Sequence, residues 1–423
     1  MHCFPTGRGR SLVLLAASLC AAASAQRIAR KDNIANLAAR LDPRPGDKSL
    51  TCEIQPIHPA LNFGFRYQAG YFFGVRLSEF DGRRHRWTAL TRITPERSNA
   101  EEFYLIASGR FPAAPKDTHL NPRLKAQAGG AFWLGEGRYK VKWLLQDDLG
   151  RVCRKEWNIE ARLGHNDRKI KLTVVPNTVE ALSWKGFSNQ EQPSDDTGVS
   201  RLTVLLDAAP RRVRRNSPAN LSFADELQLV GAMAELLHDI PSRWVRVVAF
   251  SLDQQKEVFR RDEFRMDDID QLAEALNGLR LGQVDSSVLR DAGGRVRLLS
   301  GILNREISDP DPASMVILLG PEERYGDKMP VQALSDPAPA GPRFFYVQCK
   351  PAPMLATLPG FDLGRGGAVN GAPSEFVAAP SSFSAQSNLI QSAVKRLQGE
   401  SFVVYTPGQF AKAVERIQRE ARR

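Results

Sequence analysis

The segment that most constrains this chain is residues 201–209 (RLTVLLDAA), which predicts an apolar strand that ends on Asp207. Almost everything after this segment alternates between helix and strand patterns, as in an open α/β sheet. Open α/β sheets bind their ligands at the carboxyl ends of the strands. The segment therefore predicts a parallel sheet with an acidic residue at its ligand-binding edge.

After residue 199, strand and helix patterns alternate, which predicts a central, mainly parallel sheet with helices on both faces. Residues 244–250 form a near-continuous apolar run and predict a central strand covered on both faces, whereas residues 257–260 predict a short edge strand. The other predicted strands are at 315–319, 344–349 and 402–405. Helices are predicted at 223–238, after Asp267, at 288–306, at 389–397 and around 410–417. We predict a Rossmann-like α/β domain over residues 199–423.

Residues 48–163 show instead the period-two alternation that is typical of β-strands. The turn sequence DDLG at 147–150 predicts a hairpin between residues 140–146 and 151–159. Tyr139 follows a Gly-Arg pair before a strand, which is typical of the tyrosine corner of immunoglobulin-like sandwiches. The pattern predicts an immunoglobulin-like β-sandwich of roughly seven strands in this part of the chain.

The N-terminus has the sequence of a secretory signal peptide. Arg8 and Arg10 form a positive n-region, residues 11–22 form a short apolar h-region, and Ala25 ends an Ala-Ser-Ala cleavage site. The apolar run is too short to span a bilayer. We expect residues 1–25 to be removed and the mature chain to be secreted or periplasmic, without a membrane-spanning segment.

Removal of the signal peptide leaves three cysteines, Cys52, Cys153 and Cys349. Export permits a disulfide, and Cys52 and Cys153 lie on the first and last predicted strands of the sandwich. Their pairing would close a loop of about 100 residues and contribute ~4 kcal/mol in the chain-entropy model. The alternative is that both are buried thiols, which is also the interpretation for Cys349 within an apolar strand.

Two segments are predicted to be connections. Residues 26–47 are polar and basic and end in the breaker sequence PRPG, which predicts a flexible lead-in. Residues 164–198 predict a linker, in which the stretch between Lys169 and Leu182 adds either one strand or none. The predicted organisation is an all-β domain followed by an α/β domain.

The order of elements over residues 199–423 resembles the von Willebrand factor type A fold. Three features carry the resemblance: the strand ending in Asp207, the strand VRVVAF and the strand MVILL. It is greatest to the divergent type A-related domains that follow a β-sandwich in exported bacterial proteins. The resemblance implies a domain that binds a protein or a cell-envelope component.

In that family, Mg²⁺ binds to Asp-x-Ser-x-Ser after the first strand, to a threonine before a later helix and to an aspartate after the fourth strand. Asp207 matches the first ligand, but Ala209 and Arg211 replace the two serines. Ser286, beside a second serine, stands in the place of the threonine. Gly320, followed by proline, stands where threonine and aspartate are expected. Because Mg²⁺ requires oxygen ligands and Arg211 adds positive charge, we expect a degenerate site, with no metal and no cofactor.

A basic run (residues 211–215, RRVRR) follows the same strand, in a chain whose formal net charge is +11. Arginine binds carboxylate and phosphate groups bidentately, which favours an acidic partner, either a protein or a cell-envelope component. The absence of interleaved aromatic residues argues against nucleic acid. The predicted partner-binding residues are Asp207, Arg211, Arg212, Arg214, Arg215 and Ser286. The alternative is a solvated loop without a binding role.

The predicted function is non-enzymatic: an exported protein that binds its partner through a metal-independent domain. In a first alternative, the sandwich is a carbohydrate-binding module in which Trp87, Trp133 or Trp143 stacks on sugars. Exposed tryptophans would favour this alternative, and buried ones would argue against it. In a second alternative, the chain is a hydrolase with titratable groups in a cleft between the domains, although the sequence has no common hydrolase motif.

Overall fold

The computed structural model describes residues 27–29, 34–97, 101–111, 113, 125–183, 198–210, 221, 223–279, 288, 291, 293–308, 314–322, 327–336, 341–350 and 388–422. This part of the chain combines a β-rich region with an α/β region, as the sequence predicts for the fold class. Among the described residues, no helix is long and apolar enough to cross a membrane.

The β-rich region consists of two sheets. Its strands are β1 (Arg27–Ile28), β2 (Lys48–Ser49), β3 (Cys52–Leu61), β4 (Tyr67–Arg76), β5 (Arg86–Pro95), β6 (Phe103–Arg110), β7 (Lys125–Leu134), β8 (Gly137–Asp147), β9 (Arg151–Ala161) and β10 (Val179–Ala181). One sheet has the order β1-β6-β5-β8-β9-β2 and the other has the order β10-β7-β4-β3. The second sheet includes β10, so the stretch between Lys169 and Leu182 does add a strand.

Aromatic side chains from both sheets fill the space between them. Tyr71 of β4 packs edge-on against Trp143 of β8, with ring centroids 5.4 Å apart. Phe73 packs in the same way against Trp87 of β5, at 5.1 Å. Such edge-to-face pairs stabilise a core beyond the area that they bury. The inward-facing residues of each strand thus produce the sandwich that the alternating pattern predicts.

A disulfide between Cys52 and Cys153 connects β3 of one sheet to β9 of the other, with the two Cα atoms 6.2 Å apart. This confirms the predicted pairing. The hairpin predicted around residues 147–150 also forms, between β8 and β9. Asp147 explains the turn, because its Oδ1 accepts the backbone N–H groups of Leu149 and Arg151.

The segment before the sandwich differs from the flexible lead-in predicted for residues 26–47. Strand β1 pairs with β6, and helix α1 (Ile34–Leu41) ends on a buried leucine that packs on the outer face of the first sheet. Arg154 of β9 donates hydrogen bonds to the carbonyl oxygens of residues 40–42 and to the carboxylate of Asp47. The correction has a physical reason: a short amphipathic helix can bury its apolar side on a sheet that has apolar residues on both faces.

The α/β region has one six-stranded sheet flanked by helices. The strands are β11 (Val199–Asp207), β12 (Ser242–Ser251), β13 (Lys256–Arg261), β14 (Ser314–Pro321), β15 (Arg343–Cys349) and β16 (Glu400–Val404). The helices are α2 (Phe223–Asp239), α3 (Ile269–Asn277), α4 (Gly294–Ile307), α5 (Leu389–Arg396) and α6 (Pro407–Ala421). Helix α4 begins later than the predicted residue 288, because a Gly-Gly pair is unfavourable inside a helix and better tolerated at its start.

The strand order of this sheet is β13-β12-β11-β14-β15-β16. All neighbours are parallel except the edge strand β13, which is antiparallel to β12. Val204 and Leu206 of β11 lie in a core with α2, α3 and α6, whereas Leu205 lies in a second core with α4 and α5. Residues 202–207 of the central strand are therefore buried, with side chains in a core on each face of the sheet, as is typical of a strand covered by helices on both sides.

The β-rich and α/β regions share one apolar core. Phe63 and Phe65, in the turn between β3 and β4, contact Phe410 of α6, with ring centroids 5.3 and 5.9 Å apart. The turn is fixed by Asn62, whose side-chain oxygen accepts the backbone N–H groups of Gly64 and Arg66. The contact between the two regions is thus a packed aromatic cluster.

Candidate functional site

Asp207 is the last residue of β11, the strand at which the order of the sheet reverses. The chain continues to β12 on one side of β11, and β14 later adds on the other side. In open α/β sheets the crevice at such a reversal is where ligands bind. Asp207 is buried at this carboxyl edge, opposite the end of β14.

The neighbour of Asp207 at this edge is Gly320 of β14. A Cβ atom placed on Gly320 would lie 2.7 Å from the Cβ of Asp207, which is closer than two non-bonded carbon atoms approach in proteins. Position 320 therefore has no room for a side chain unless Asp207 moves. The structure brings these two predicted positions together, and of the two only Asp207 has a carboxylate.

The described residues at the positions of the family's ligands do not fit the magnesium site that the resemblance implies. Ala209, Gly320 and Pro321 offer no side-chain oxygen, so Asp207 is the only one of these four that can ligate a metal. Mg²⁺ is coordinated octahedrally by oxygen atoms and is not held by a single carboxylate. We therefore derive no metal-dependent step at this edge.

Two further charged groups lie on the same edge, just after β14 and β15. The Lys350 ammonium group donates a hydrogen bond to the Glu322 carboxylate. The hydroxyl of Tyr346 donates to the carbonyl oxygen of Pro321, 3.2 Å away, and so fixes the end of β14. Glu322 is consequently neutralised by its neighbour.

The basic run and Ser286 lie outside the described residues. The residues that flank the run are described: Ala208 donates its N–H to the carbonyl oxygen of Phe250, and Pro210 is buried at the same edge. Helix α2, which follows the run, begins at Phe223 and leads back to β12. The described residues immediately before the run therefore lie at the carboxyl edge of the sheet.

The three tryptophans of the carbohydrate-binding alternative are buried: Trp87, Trp133 and Trp143 all lie in apolar cores. A sugar ring stacks on an aromatic face that is open to solvent, and these side chains offer none. The burial of these three tryptophans therefore argues against the carbohydrate-binding alternative. The reason is that bulky aromatics of a sandwich fill the space between its sheets.

The cleft of the hydrolase alternative was expected between the two domains. In the described residues, that contact contains Phe63, Phe65 and Phe410, with one ion pair beside them. The ion pair joins the guanidinium group of Arg66, which is buried, to the carboxylate of Glu180 at 3.2 Å. Burial lowers the pKa of Arg66, while the charges of Glu180 and Glu235 oppose that shift.

Glu235, His238 and Asp239 at the end of α2 offer ligand atoms that all lie within 4.8 Å of one another. Glu235 acts electrostatically on the buried guanidinium group of Arg66. The Nδ1 atom of His238 lies 3.0 Å from Oδ1 of Asp239. The negative charge of Glu235 in this cluster therefore interacts with the guanidinium group of Arg66, across the contact between the two regions.

The sequence interpretation missed a buried carboxylate on the side of the sheet opposite α2. Glu306 of α4 is fully buried, and it accepts hydrogen bonds from the hydroxyl of Thr203 at 2.9 Å and from Arg246 at 3.0 Å. Arg246 in turn pairs with Asp262 at 2.7 Å. The available signal was a glutamate four residues after Ile302, on the apolar face of its helix.

A second missed group is His85, at one end of the sandwich. Its Nδ1 atom lies 2.8 Å from Oδ1 of Asp148, and its Nε2 atom lies 2.9 Å from Oδ1 of Asp81. The only local signal was an aspartate four residues before the histidine. The second partner comes from a turn 63 residues away, which no local pattern indicates.

No family model and no curated protein matches this chain. Among solved structures, the putative ApaA protein from Bordetella pertussis is 11% identical, with 28% of this chain and 99% of that chain covered and a TM-score of 0.17. A β-glucuronidase from Bacteroides uniformis is 9% identical, with 71% of this chain and 36% of that chain covered and a TM-score of 0.18. Scores this low establish neither a shared fold nor a shared function.

Proposed function

We propose that this chain is an exported, non-enzymatic interaction protein that binds an acidic partner group at the carboxyl edge of its α/β sheet, without a metal ion. The observation that carries the proposal is the position of Asp207 at the strand-order reversal, packed against Gly320. The basic run begins four residues after Asp207. In the family that this region resembles, a metal ion binds the carboxylate of the partner. In this proposal, an arginine of the basic run takes the place of that metal ion.

The sheet topology supports assignment of the α/β region to the von Willebrand factor type A class. Numbered along this region, its strands have the order 3-2-1-4-5-6, and the third strand is the antiparallel edge. The first strand ends on Asp207, where that family places its first metal ligand. Of the described positions that match the family's metal ligands, only Asp207 has a side-chain oxygen, which is the reason to propose a partner site that needs no metal.

Two features support an immunoglobulin-like assignment for the sandwich. The hydroxyl of Tyr139 donates to the carbonyl oxygen of Gly135, four residues upstream, as in a tyrosine corner. The disulfide joins the two sheets beside the core that contains Trp143. In the proposed function this region is a support, because its aromatic core and its contact with α6 hold the α/β region in place.

Arginine suits the proposed chemistry because its planar guanidinium group pairs with two oxygens of a carboxylate or phosphate group. Charged groups at an exposed edge also increase the rate of association with a partner of opposite charge. The partner is consequently a protein or a cell-envelope component that presents carboxylate or phosphate groups. Its binding weakens as the salt concentration rises.

The test compares two double variants of the mature chain in EDTA. Arg211→Ala/Arg212→Ala removes two charges from the proposed site. Arg243→Ala/Arg422→Ala removes two exposed arginines at the opposite, amino edge and leaves the net charge of the two proteins equal. The probe is immobilised poly-L-glutamate at low salt, followed by envelope protein from the source organism.

We expect wild type and the amino-edge variant to bind equally, and the Arg211/Arg212 variant to bind about tenfold more weakly. Equal losses in both variants would show attraction by net charge alone and would contradict a site at the carboxyl edge. Loss of wild-type binding in EDTA, restored by Mg²⁺, would contradict the metal-independent mechanism.

A further inference from the structure

His85 lies where three parts of the sandwich meet: the connection between β4 and β5 (residues 77–85), the β8–β9 turn (residues 147–150) and the end of β6. Its side chain is only 8% exposed, and both of its ring nitrogens contact carboxylates. Asp148 approaches Nδ1 at 2.8 Å and Asp81 approaches Nε2 at 2.9 Å. The ring therefore bridges the connection and the turn.

A neutral imidazole has one N–H group, so it can donate to only one of the two carboxylates. The other nitrogen would then direct a lone pair at a negatively charged oxygen. The imidazolium form donates from both nitrogens and satisfies both contacts. A ring that is protonated on both nitrogens therefore fits the two short contacts better than a neutral ring does.

Aromatic packing connects this bridge to the end of β6. The ring of Phe80 stacks on His85 with centroids 5.0 Å apart, and it contacts Phe111 at 4.8 Å. The N–H group of Phe111 donates to the carbonyl oxygen of His85 at 2.8 Å. Release of the ring would consequently loosen the connection and the residue at which the chain leaves β6.

We propose that His85 is a proton-operated latch, which holds this end of the sandwich closed while the ring bridges Asp81 and Asp148 and releases the 77–85 connection when the ring loses its proton to solvent. This goes beyond the proposed function, because the latch is remote in sequence from the carboxyl edge of the α/β sheet.

The surrounding charges leave His85 as the member of this cluster that titrates near neutral pH. Asp81 also pairs with Arg83 at 3.7 Å, and Arg151 pairs with Asp147 and Glu79. Arginine does not deprotonate in proteins. The pKa of Asp148 is lowered by the N–H of Arg86 and by His85, and the pKa of Asp81 is lowered by His85 and by the N–H of Arg83.

The direction of the pH effect follows from the same contacts. Burial disfavours the charged ring, but the hydrogen bonds to Asp81 and Asp148 outweigh burial and raise the pKa of His85 above its ordinary value of 6.5. The folded state then binds the proton more tightly than the unfolded state. The stabilisation is complete below pH 6.5, and it is lost as the pH rises through the raised pKa of the folded state.

The first test is nuclear magnetic resonance on the wild-type mature chain, with the imidazole nitrogens labelled. We expect both nitrogens of His85 to be protonated at pH 6 and the ring to titrate above pH 6.5. Each unit by which the pKa of His85 in the closed form exceeds its ordinary value corresponds to a factor of about ten in the equilibrium between the closed and open forms. A neutral His85 at pH 6, or titration at or below pH 6.5, would overturn the proposal.

The second test follows the latch itself through the hydrogen-exchange protection of the Phe111 amide. In wild type, this protection should fall as the pH rises through the pKa of His85. His85→Gln, which cannot donate from two nitrogens, should show the low value at every pH. His58→Gln changes an exposed histidine of β3 and should behave as wild type. Protection of Phe111 that is independent of pH in wild type would contradict the latch.

Discussion

In each of the two regions, a basic side chain bridges two carboxylates: a half-buried arginine in the α/β region and a buried histidine in the sandwich. In the α/β region, Arg246 bridges Glu306 of α4 and Asp262. In the sandwich, His85 bridges Asp81 and Asp148. The arrangements are alike, but an arginine keeps its proton whereas a histidine loses it near neutral pH. The same bridging geometry is therefore expected to be independent of pH when the cation is arginine and to depend on pH when it is histidine.

The surroundings of the two bridges differ as well. Glu306 has no exposed surface, so its charge depends entirely on its partners. The carboxylates around His85 are 56% and 31% exposed for Asp81 and Asp148, so water can replace a lost partner. We therefore expect a large and pH-independent effect from breaking the first bridge and a smaller, pH-dependent effect from breaking the second.

The largest expected effect is that of Glu306→Ala. The substitution leaves the hydroxyl of Thr203 and one side of Arg246 buried without an acceptor, and the free energy of unfolding should fall by about 3–5 kcal/mol. Urea unfolding measures this loss, which should be the same at pH 6 and pH 9. Glu274→Ala, an exposed position on α3, is the control. A loss below ~1 kcal/mol would show that the buried bridge is not a structural tie.

A slightly smaller loss is expected when the disulfide is removed in Cys52→Ala/Cys153→Ala. The bond closes a separation of 101 residues, and its removal should cost ~4 kcal/mol or less in the chain-entropy model. Thermal unfolding followed by tryptophan fluorescence measures the loss. If the two regions unfold together through the Phe63–Phe410 contact, one transition will shift as a whole. Two separated transitions would contradict a shared core.

The sequence predicts the strands and helices of the α/β region well, because the signal for each element is local. The near-continuous apolar run of residues 244–250 predicts a strand covered on both faces, and the structure has β12 inside its sheet, between β11 and β13. The disulfide was predictable because few cysteines remain after residue 25 and two of them lie on sandwich strands. The lead-in was harder, because its packing depends on Arg154, more than 100 residues away.

The Glu306–Arg246 and His85 bridges were also not predictable, because their partners are far apart in the sequence. Glu306 meets Thr203 across 103 residues, and His85 meets Asp148 across 63 residues. A periodic pattern contains no information about such pairs. At the candidate site, Asp207 was predictable from its position after the strand, whereas the close approach of Gly320 depends on the register of β11 and β14.

A smaller effect is expected when one carboxylate of the sandwich bridge is neutralised. Asp148→Asn should lower the free energy of unfolding by about 1 kcal/mol below pH 6.5, and Asp81→Asn should lower it less, because Asp81 is the more exposed of the two. Urea unfolding at several pH values measures both. The loss should shrink as His85 deprotonates. A loss that stays constant up to pH 9 would indicate that His85 is not the titrating group.

The smallest effect on stability is expected for Arg211→Ala/Arg212→Ala. If these arginines contribute to binding and not to folding, the free energy of unfolding should change by less than about 0.5 kcal/mol. Thermal unfolding measures this. A large loss of stability would mean that these arginines have a structural role, and that weaker binding by the variant does not identify a binding site.

The most direct test of the central claim is calorimetric titration of the mature chain with Mg²⁺ and with Mn²⁺. Among the described positions that match the family's ligands, Asp207 has a carboxylate, whereas Ala209, Gly320 and Pro321 have no side-chain oxygen. We therefore expect no saturable binding with a Kd below about 1 mM. Asp207→Ala should give the same trace as wild type. Saturable binding in wild type that Asp207→Ala abolishes would contradict the account, because the carboxyl edge would then hold its partner through a metal.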